Sequence, residues 1–131
     1  MRNLDGERWE GAPWRQGGAR RDPVGALALD LAAVANGVEA GVLVREKRGR
    51  AAVVRARQLA MYLLNATLSR GMAEIGRQFG RDRATVRHAC QRIEDARDDP
   101  GFDRLVETLH VELMGFAEAV GFAEAVTDVA A

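Results

Sequence analysis

The stretch that decides the fold is residues 72–97, MAEIGRQFGRDRATVRHACQRIEDAR. Its apolar residues recur at helical spacing on both sides of a glycine, which predicts a short helix followed by a longer one. Those positions are Met72, Ile75 and Phe79, then Val86, Ala89, Cys90 and Ile93. Residues 80–82 predict a tight turn, and Asp82 is a typical N-cap for the second helix. This order predicts a helix-turn-helix over residues 72–97.

The segments before this stretch predict two further helices. One begins at Asp22-Pro23 and ends at Asn36-Gly37. Its expected inward face is Val24, Leu27, Leu31, Val34 and Val38. The other covers residues 51–64, with Val53, Ala56, Leu59, Ala60 and Leu63 inward. Residues 38–44 fit a short helix or a turn. Residues 45–50 (REKRGR) form what we call the basic loop.

The segment after it predicts a last helix that begins at Asp99-Pro100. An apolar seam at spacings of four and three follows, made of Phe102, Val106, Leu109, Leu113, Phe116 and Val120. Packing of this seam on its own domain is favoured over dimerisation because the seam is shorter than three heptads. A homodimer or a protein partner bound through residues 102–120 stays open as the alternative.

These elements predict a small all-α helical bundle with three regions. Residues 1–22 are polar, rich in Gly and Arg and without periodicity, which predicts a disordered arm, although Trp9 and Trp14 are unusual there. Residues 23–114 form the expected folded domain. Residues 115–131 form an acidic, alanine-rich tail containing the direct repeat GFAEAV-GFAEAV.

The formal net charge of zero conceals a strong asymmetry along the chain. Residues 1–44 hold five Arg against six acidic residues, a net charge of −1. Residues 45–92 hold twelve Lys or Arg against three acidic residues, for +9, and residues 93–131 hold two Arg against ten acidic residues, for −8. A basic centre that coincides with a helix-turn-helix favours a polyanionic partner, and double-stranded DNA is the first candidate.

Other classes of function lack support in the sequence. Cys90 is the single cysteine, which excludes an internal disulfide and a cysteine-built zinc site, and His88 and His110 alone suggest no metal or catalytic cluster. We therefore expect no enzyme activity, no cofactor and no metal. No apolar run is long enough for a bilayer or resembles a signal peptide, so the expected location is cytoplasmic, at the nucleoid.

Four segments sharpen the DNA-binding hypothesis. They are residues 57–63 (RQLAMYL), 74–82 (EIGRQFGRD), 85–86 (TV) and 88–94 (HACQRIE). Together they resemble the C-terminal DNA-binding domain of the bacterial chromosomal replication initiator DnaA. The resemblance covers roughly residues 23–113 and implies a fold of the tryptophan-repressor-like type. No G-x-x-x-x-G-K-[ST] motif occurs, so we expect a stand-alone relative without the ATPase module and without bound nucleotide.

The resemblance also implies roles for matching positions. It implies that Arg57, Gln58, Thr85 and His88 contact the DNA backbone. It also implies that Asp82 reads a base, because Asp82 occupies the place of a base-reading aspartate in the initiator. The basic loop is expected in the adjacent minor groove, with Arg48 and Arg50 as candidates. From charge alone, we add Arg55 to the expected phosphate contacts.

The sequence departs from the family signature at the base-reading positions. The signature has Gly-Gly where this chain has Gly80, a base-reading His at Arg83, and Ser or Thr at Ala84. Arg83 can pair with O6 and N7 of guanine, so the base preference is expected to differ from that of the initiator. The working hypothesis is a regulator of replication initiation or transcription that binds specific DNA sites. The alternative is an interaction module that keeps the fold but binds a protein through its C-terminal helix.

Overall fold

The computed structural model describes residues 22–47 and 49–130, and it describes side chains as far as residue 126. In this part of the chain there are six α-helices and no strands, which confirms the all-α prediction. In chain order they are α1 (Pro23–Ala35), α2 (Val42–Arg45), α3 (Ala51–Tyr62), α4 (Met72–Phe79), α5 (Arg83–Ala96) and α6 (Pro100–Ala130), with a π-helical turn (Leu63–Thr67) continuing α3. The predicted disordered arm lies outside the described residues, apart from Asp22, as do Trp9 and Trp14.

Helix α3 is the centre of the bundle and packs against α1, α2 and α5. The five residues of α3 and the π-helical turn that were expected to face inward are all buried. Met61, Tyr62 and Leu64 are buried as well, so the end of α3 is surrounded on every side. Each fully buried leucine contributes about 1.5–3 kcal/mol. The buried residues of α3 and of the turn after it give the other helices a common surface to pack on.

Helix α1 begins as predicted, because the Asp22 carboxylate accepts a hydrogen bond from the Gly25 backbone nitrogen at 3.0 Å. Its predicted inward face is confirmed only in part, because Val24, Leu27, Leu31 and Val38 are half-buried against the core and Val34 is not. Val34 is 80% exposed, while the buried positions are Gly25, Ala28, Leu29, Ala32 and Ala33. Small side chains let the backbones of α1 and α3 approach closely, so the larger residues flank the contact instead of forming it.

Asp22 and Arg70 tie the start of α1 to the segment after the π-helical turn. Arg70 donates two hydrogen bonds of 2.7 Å to the two carboxylate oxygens of Asp22. The π-helical turn itself is joined to α6 by a hydrogen bond of 2.9 Å between Thr67 Oγ1 and His110 Nδ1. These contacts hold the segment 65–71, which leads from α3 into α4.

Helix α6 begins at the predicted cap, where Asp99 accepts a hydrogen bond from the Phe102 backbone nitrogen at 2.8 Å. The helix is continuous across the expected boundary between residues 114 and 115. Leu113 is fully buried, whereas Phe116 is 38% and Phe122 is 73% exposed. Only the first half of α6 therefore packs on the bundle. No helix among the described residues has the length and apolar character needed to cross a membrane.

Arg97 connects α5 and α6 to the centre of the bundle. Its guanidinium donates to the Tyr62 hydroxyl at 2.9 Å and to Asp103 Oδ1 at 2.6 Å, and it also contacts Glu107. Tyr62 in turn donates to Glu94. Burial, and then the hydrogen bond to Glu94, raises the pKa of Tyr62 above its ordinary value. This network fixes the far end of α5, so that its near end projects from the bundle.

Candidate nucleic-acid interface

The turn between α4 and α5 depends on two glycines. Gly80 ends α4 with φ +67°, in the left-handed region that glycine adopts most readily. The Arg81 backbone nitrogen then donates to the Gly76 carbonyl at 2.8 Å. A Cβ on Gly76 would lie 2.5 Å from the Arg81 carbonyl oxygen, closer than real Cβ contacts allow. The local sequence thus sets a tight, sterically defined angle between the two helices.

Asp82 begins α5 as predicted. Its Oδ1 accepts a hydrogen bond from the Thr85 backbone nitrogen at 2.7 Å. That backbone hydrogen bond, followed by the one with the Thr85 side chain, lowers the pKa of Asp82. A carboxylate that satisfies a free N–H group also suits the positive end of the helix dipole. The cap and the predicted base reader are therefore the same residue.

The first turn of α5, residues 82–85, is the recognition tip. Asp82, Arg83, Ala84 and Thr85 are all exposed, and His88 is exposed one turn later. The opposite face is anchored by Val86, Ala89, Cys90 and Ile93, which are buried as predicted. Burial raises the pKa of the Cys90 thiol, consistent with a packing residue. All the base-contact candidates and two of the backbone-contact candidates thus stand on one accessible ridge.

A cleft of about 280 Å³ lies between the basic loop, α3 and α5. It brings together Gln58, Thr85 and His88, which the sequence placed among the backbone contacts. Lys47 and Arg81 also line it. Cationic and hydrogen-bonding groups that converge beside a projecting helix can bind the oxygen atoms of a phosphate.

Arg57 also lines this cleft, but its side chain is mostly turned toward the protein interior. The residue is only 6% exposed. Its Nε donates to the Leu43 carbonyl at 2.7 Å, and its Nη2 donates to the Glu46 carbonyl at 2.5 Å. Burial, and then the charge of Arg81, lowers the pKa of Arg57 to about 10. Arg57 thus holds the protein's own backbone, and a phosphate contact remains a prediction.

The minor-groove candidates are only partly described. Arg50 is exposed and directly precedes α3, while Arg48 lies outside the described residues. The sequence reasoning overlooked Arg81, whose guanidinium donates to the carbonyls of Phe79, Glu46 and Lys47. A pattern along the chain could not reveal it, because the last two acceptors are 34 or 35 residues away.

Arg55 does not line this cleft. It lines a second one of about 240 Å³ on the other side of the crossing between α3 and α5, with Gln58 common to both. Arg92 shares the second cleft and is exposed. Sequence reasoning also missed Arg92, although its position one turn after His88 on the same helix is a usable signal. Arg55 on α3 and Arg92 on α5 therefore add two positive charges beside the second cleft.

Metal ions in proteins are held by groups of His, Cys, Asp and Glu side chains. Within residues 22–47 and 49–130, no group of three or more His, Cys, Asp or Glu is arranged to hold a metal ion.

Comparison with known proteins matches this architecture. Residues 33–93, just under half of the chain, match a family described as the bacterial dnaA protein helix-turn-helix. The chromosomal replication initiator protein DnaA of Caulobacter sp. (strain K31) is 45% identical over 75 residues, which are 56% of this chain and 15% of that protein. The protein of the same name from Gluconobacter oxydans is 48% identical over 71 residues, 53% of this chain and 15% of that protein.

A third relative of the same name, from Agrobacterium fabrum, is 50% identical over 54 residues, 40% of this chain and 11% of that protein. The matched part of the chain thus spans less than a sixth of the length of these relatives. No solved structure gives a significant match. The matched region contains α3, α4, the Gly80 turn and most of α5, which are the elements that form the exposed ridge. Residues 33–93 are therefore similar to the bacterial dnaA protein helix-turn-helix, and these matches support a DNA-binding domain of the DnaA C-terminal type in this part of the chain.

Proposed function

We propose that the chain binds specific sites on double-stranded DNA and thereby regulates replication initiation or transcription at the nucleoid. The observation that carries this proposal is the exposed recognition tip, which projects beside a cationic cleft while the opposite face of α5 is buried. An α-helix fits the major groove, which is about 12 Å wide, and its first turn then reaches the base edges. The proposed activity is binding, and no catalytic step is part of it.

Base reading falls to residues 82–84. The Arg83 guanidinium is exposed, and its two parallel N–H groups match O6 and N7 of guanine. The Ala84 methyl group suits contact with a thymine methyl. Asp82 keeps one carboxylate oxygen on the Thr85 backbone, and the carboxylate can still accept a hydrogen bond from a cytosine amino group.

Phosphate binding falls to the residues around the two clefts. Gln58, Thr85 and His88 face the first cleft, and Arg55 faces the second with Arg92. Arg50, and Arg48 outside the described residues, are proposed to enter the adjacent minor groove. Arg57 is the weakest of the proposed phosphate contacts because two of its three guanidinium nitrogens already donate to carbonyl groups.

Selection of bound sequences from a random pool of duplex DNA tests this function. We expect one enriched site, with a guanine at the position that Arg83 reads. Because Arg83 and Ala84 differ from the family signature, the site should differ there from the box that the initiator reads. A pool that shows no enrichment after several rounds would refute sequence-specific binding.

A second candidate function is favoured by the outer half of α6. Phe116, Phe122 and Val126 are 38%, 73% and 51% exposed, although all three are large apolar residues. Residues 105–131 contain acidic residues but no Lys or Arg. Pairing two copies of this segment would place like charges together, so we propose a basic, apolar protein surface as its partner in preference to a homodimer.

Deleting residues 115–131 separates the two functions. Leu113 and the residues before it complete the packing of α6, so the shortened chain should fold and bind DNA as before. Capture of a basic partner by the full chain but not by the shortened chain would support the second function. Equal capture by both chains, or a stable homodimer of the full chain in sedimentation experiments, would contradict it.

A further inference from the structure

The basic loop is held by two arginines that come from different elements. Arg57 on α3 donates to the carbonyls of Leu43 and Glu46 at 2.7 and 2.5 Å. Arg81 in the helix-turn-helix turn donates to the carbonyls of Glu46 and Lys47 at 2.9 and 2.7 Å. The Glu46 carbonyl thus accepts from both guanidinium groups. The basic loop, α3 and the turn of the helix-turn-helix are therefore joined at the Glu46 carbonyl group.

The acceptors are carbonyl groups that need partners. Helix α2 ends at Arg45, where the Glu46 backbone nitrogen donates to the Val42 carbonyl at 3.1 Å, whereas the Leu43 carbonyl accepts from Arg57. A cation at the C-terminal end of a helix also interacts favourably with the helix dipole. Arg57 therefore caps α2 and fixes where the basic loop begins.

Arg81 connects the same loop to the recognition tip. It directly precedes Asp82, and its Nη1 donates to the Phe79 carbonyl at 2.6 Å. Its backbone nitrogen is bound to the Gly76 carbonyl at 2.8 Å. Main chain and side chain are both held, so the loop carbonyls are attached to a rigid part of the helix-turn-helix.

We propose that Arg57 and Arg81 are positioning residues that hold Glu46 and Lys47, at the start of the basic loop, at a fixed place relative to the recognition tip, so that adjoining grooves are read as one composite site. This inference rests on the proposed DNA binding. In this inference the two arginines act by holding main-chain carbonyl groups of the protein. The family resemblance, in contrast, implies that Arg57 itself contacts the sugar-phosphate backbone of DNA.

Charge-conserving variants test the inference. A lysine ammonium retains the positive charge but cannot span two or three carbonyls as a planar guanidinium does. In Arg57→Lys and Arg81→Lys, we expect discrimination at the base pairs on the loop side of the selected site to fall about tenfold. Discrimination at the base pair read by Arg83 should change less. Arg77→Lys, an exposed arginine on α4, is the matched control and should behave as the unmodified chain does.

A direct phosphate contact predicts a different result. Lysine also binds phosphate, so both variants would then keep the sequence preference and nearly all of the affinity. That result in folded variants would overturn the inference. Thermal melting followed by circular dichroism establishes folding, and Arg81→Lys carries the test if Arg57→Lys unfolds, because Arg81 is the less buried of the two.

A double-mutant cycle with Arg50→Gln adds a second readout. If Arg57 and Arg81 act by positioning the basic loop, Arg50→Gln should lower the discrimination between base pairs on the loop side of the selected site in the unmodified chain. The same substitution should have little further effect in Arg81→Lys. Additive effects, or no effect of Arg50→Gln alone, would contradict the inference. A chain that selects no site at all would instead refute the proposed function, so the two failures are distinguishable.

Discussion

The carboxylate of Asp82 lies 2.7 Å from the Thr85 backbone nitrogen, so the residue that caps α5 also stands at its exposed tip. This hydrogen bond therefore contributes both to the stability of the helix and to the placement of the side chains that we propose read DNA. A carboxylate in this position loses little accessibility, since Asp82 remains exposed.

Replacing Asp82 by alanine should lower the free energy of unfolding by about 1 kcal/mol, because the cap is lost. Asp82→Asn should retain most of the stability, since asparagine caps a helix nearly as well. Urea denaturation of the three chains measures both effects. Equal stability of the alanine and asparagine variants would show that the hydrogen bond does not stabilise α5.

Replacing Gly76 by alanine should lower the free energy of unfolding by about 1–3 kcal/mol. The new Cβ would meet the Arg81 carbonyl at 2.5 Å, and this backbone atom can move only by distorting the turn. The control is Gly115→Ala on the outer part of α6, where a Cβ meets nothing within 4 Å. There alanine should be neutral or stabilise by up to about 1 kcal/mol. Destabilisation of both variants to the same extent would contradict the steric account.

The Asp22–Arg70 pair predicts a pH-dependent contribution to stability. Burial raises the pKa of Asp22, but the hydrogen bonds from Arg70 and the Gly25 backbone outweigh it, so the pKa is lowered overall. A carboxylate with a lowered pKa stabilises the fold above its unfolded pKa of about 3.9. That contribution is lost as the pH falls through the lower folded value.

The measurement is the difference in free energy of unfolding between the unmodified chain and Asp22→Asn, at pH values from 7 down to 3. Asparagine keeps the cap to Gly25 but removes the charge. The difference should be constant between pH 5 and 7 and shrink below about pH 4. A difference that grows on acidification would contradict the assigned ion pair.

Replacing Arg83 by alanine should relax the preference at one base pair and cost about 1–3 kcal/mol of binding free energy on the selected site. The fold should be unaffected, because Arg83 is exposed at the start of α5. Binding to duplexes that carry each of the four bases at that position measures the change. An unchanged order of preference would show that Arg83 contacts phosphate or solvent instead of guanine.

The helix-turn-helix could be predicted from the sequence because its determinants are local. Gly80, the Asp82 cap and the apolar spacing from Ile75 to Ile93 all act within a few residues, and the structure confirms each of them. The inward face of α1 could not be predicted in the same way. Most of its fully buried residues are small, so a pattern of large apolar residues marks only the half-buried edge of the contact.

The role of Arg57 was hidden for a different reason. Its acceptors, Leu43 and Glu46, are 14 and 11 residues away and are backbone atoms, which leave no pattern in the sequence. The resemblance to the initiator domain therefore suggested only a contact with the DNA backbone for Arg57. The predicted seam carried the last helix through Gly115 to Val120, but its continuation through Gly121 to Ala130 was not predicted, since glycine costs about 1 kcal/mol relative to alanine within a helix.

The central claim is tested most directly by the ratio of dissociation constants for the selected duplex and a scrambled duplex of equal length, measured at several salt concentrations. For a specific site, we predict binding at least about 10³-fold tighter than to the scrambled duplex. With about six phosphates contacted, log K should fall with log salt at a slope near −5. Equal dissociation constants for the two duplexes, or binding that does not weaken with salt, would contradict recognition of DNA by α5 and its cationic cleft.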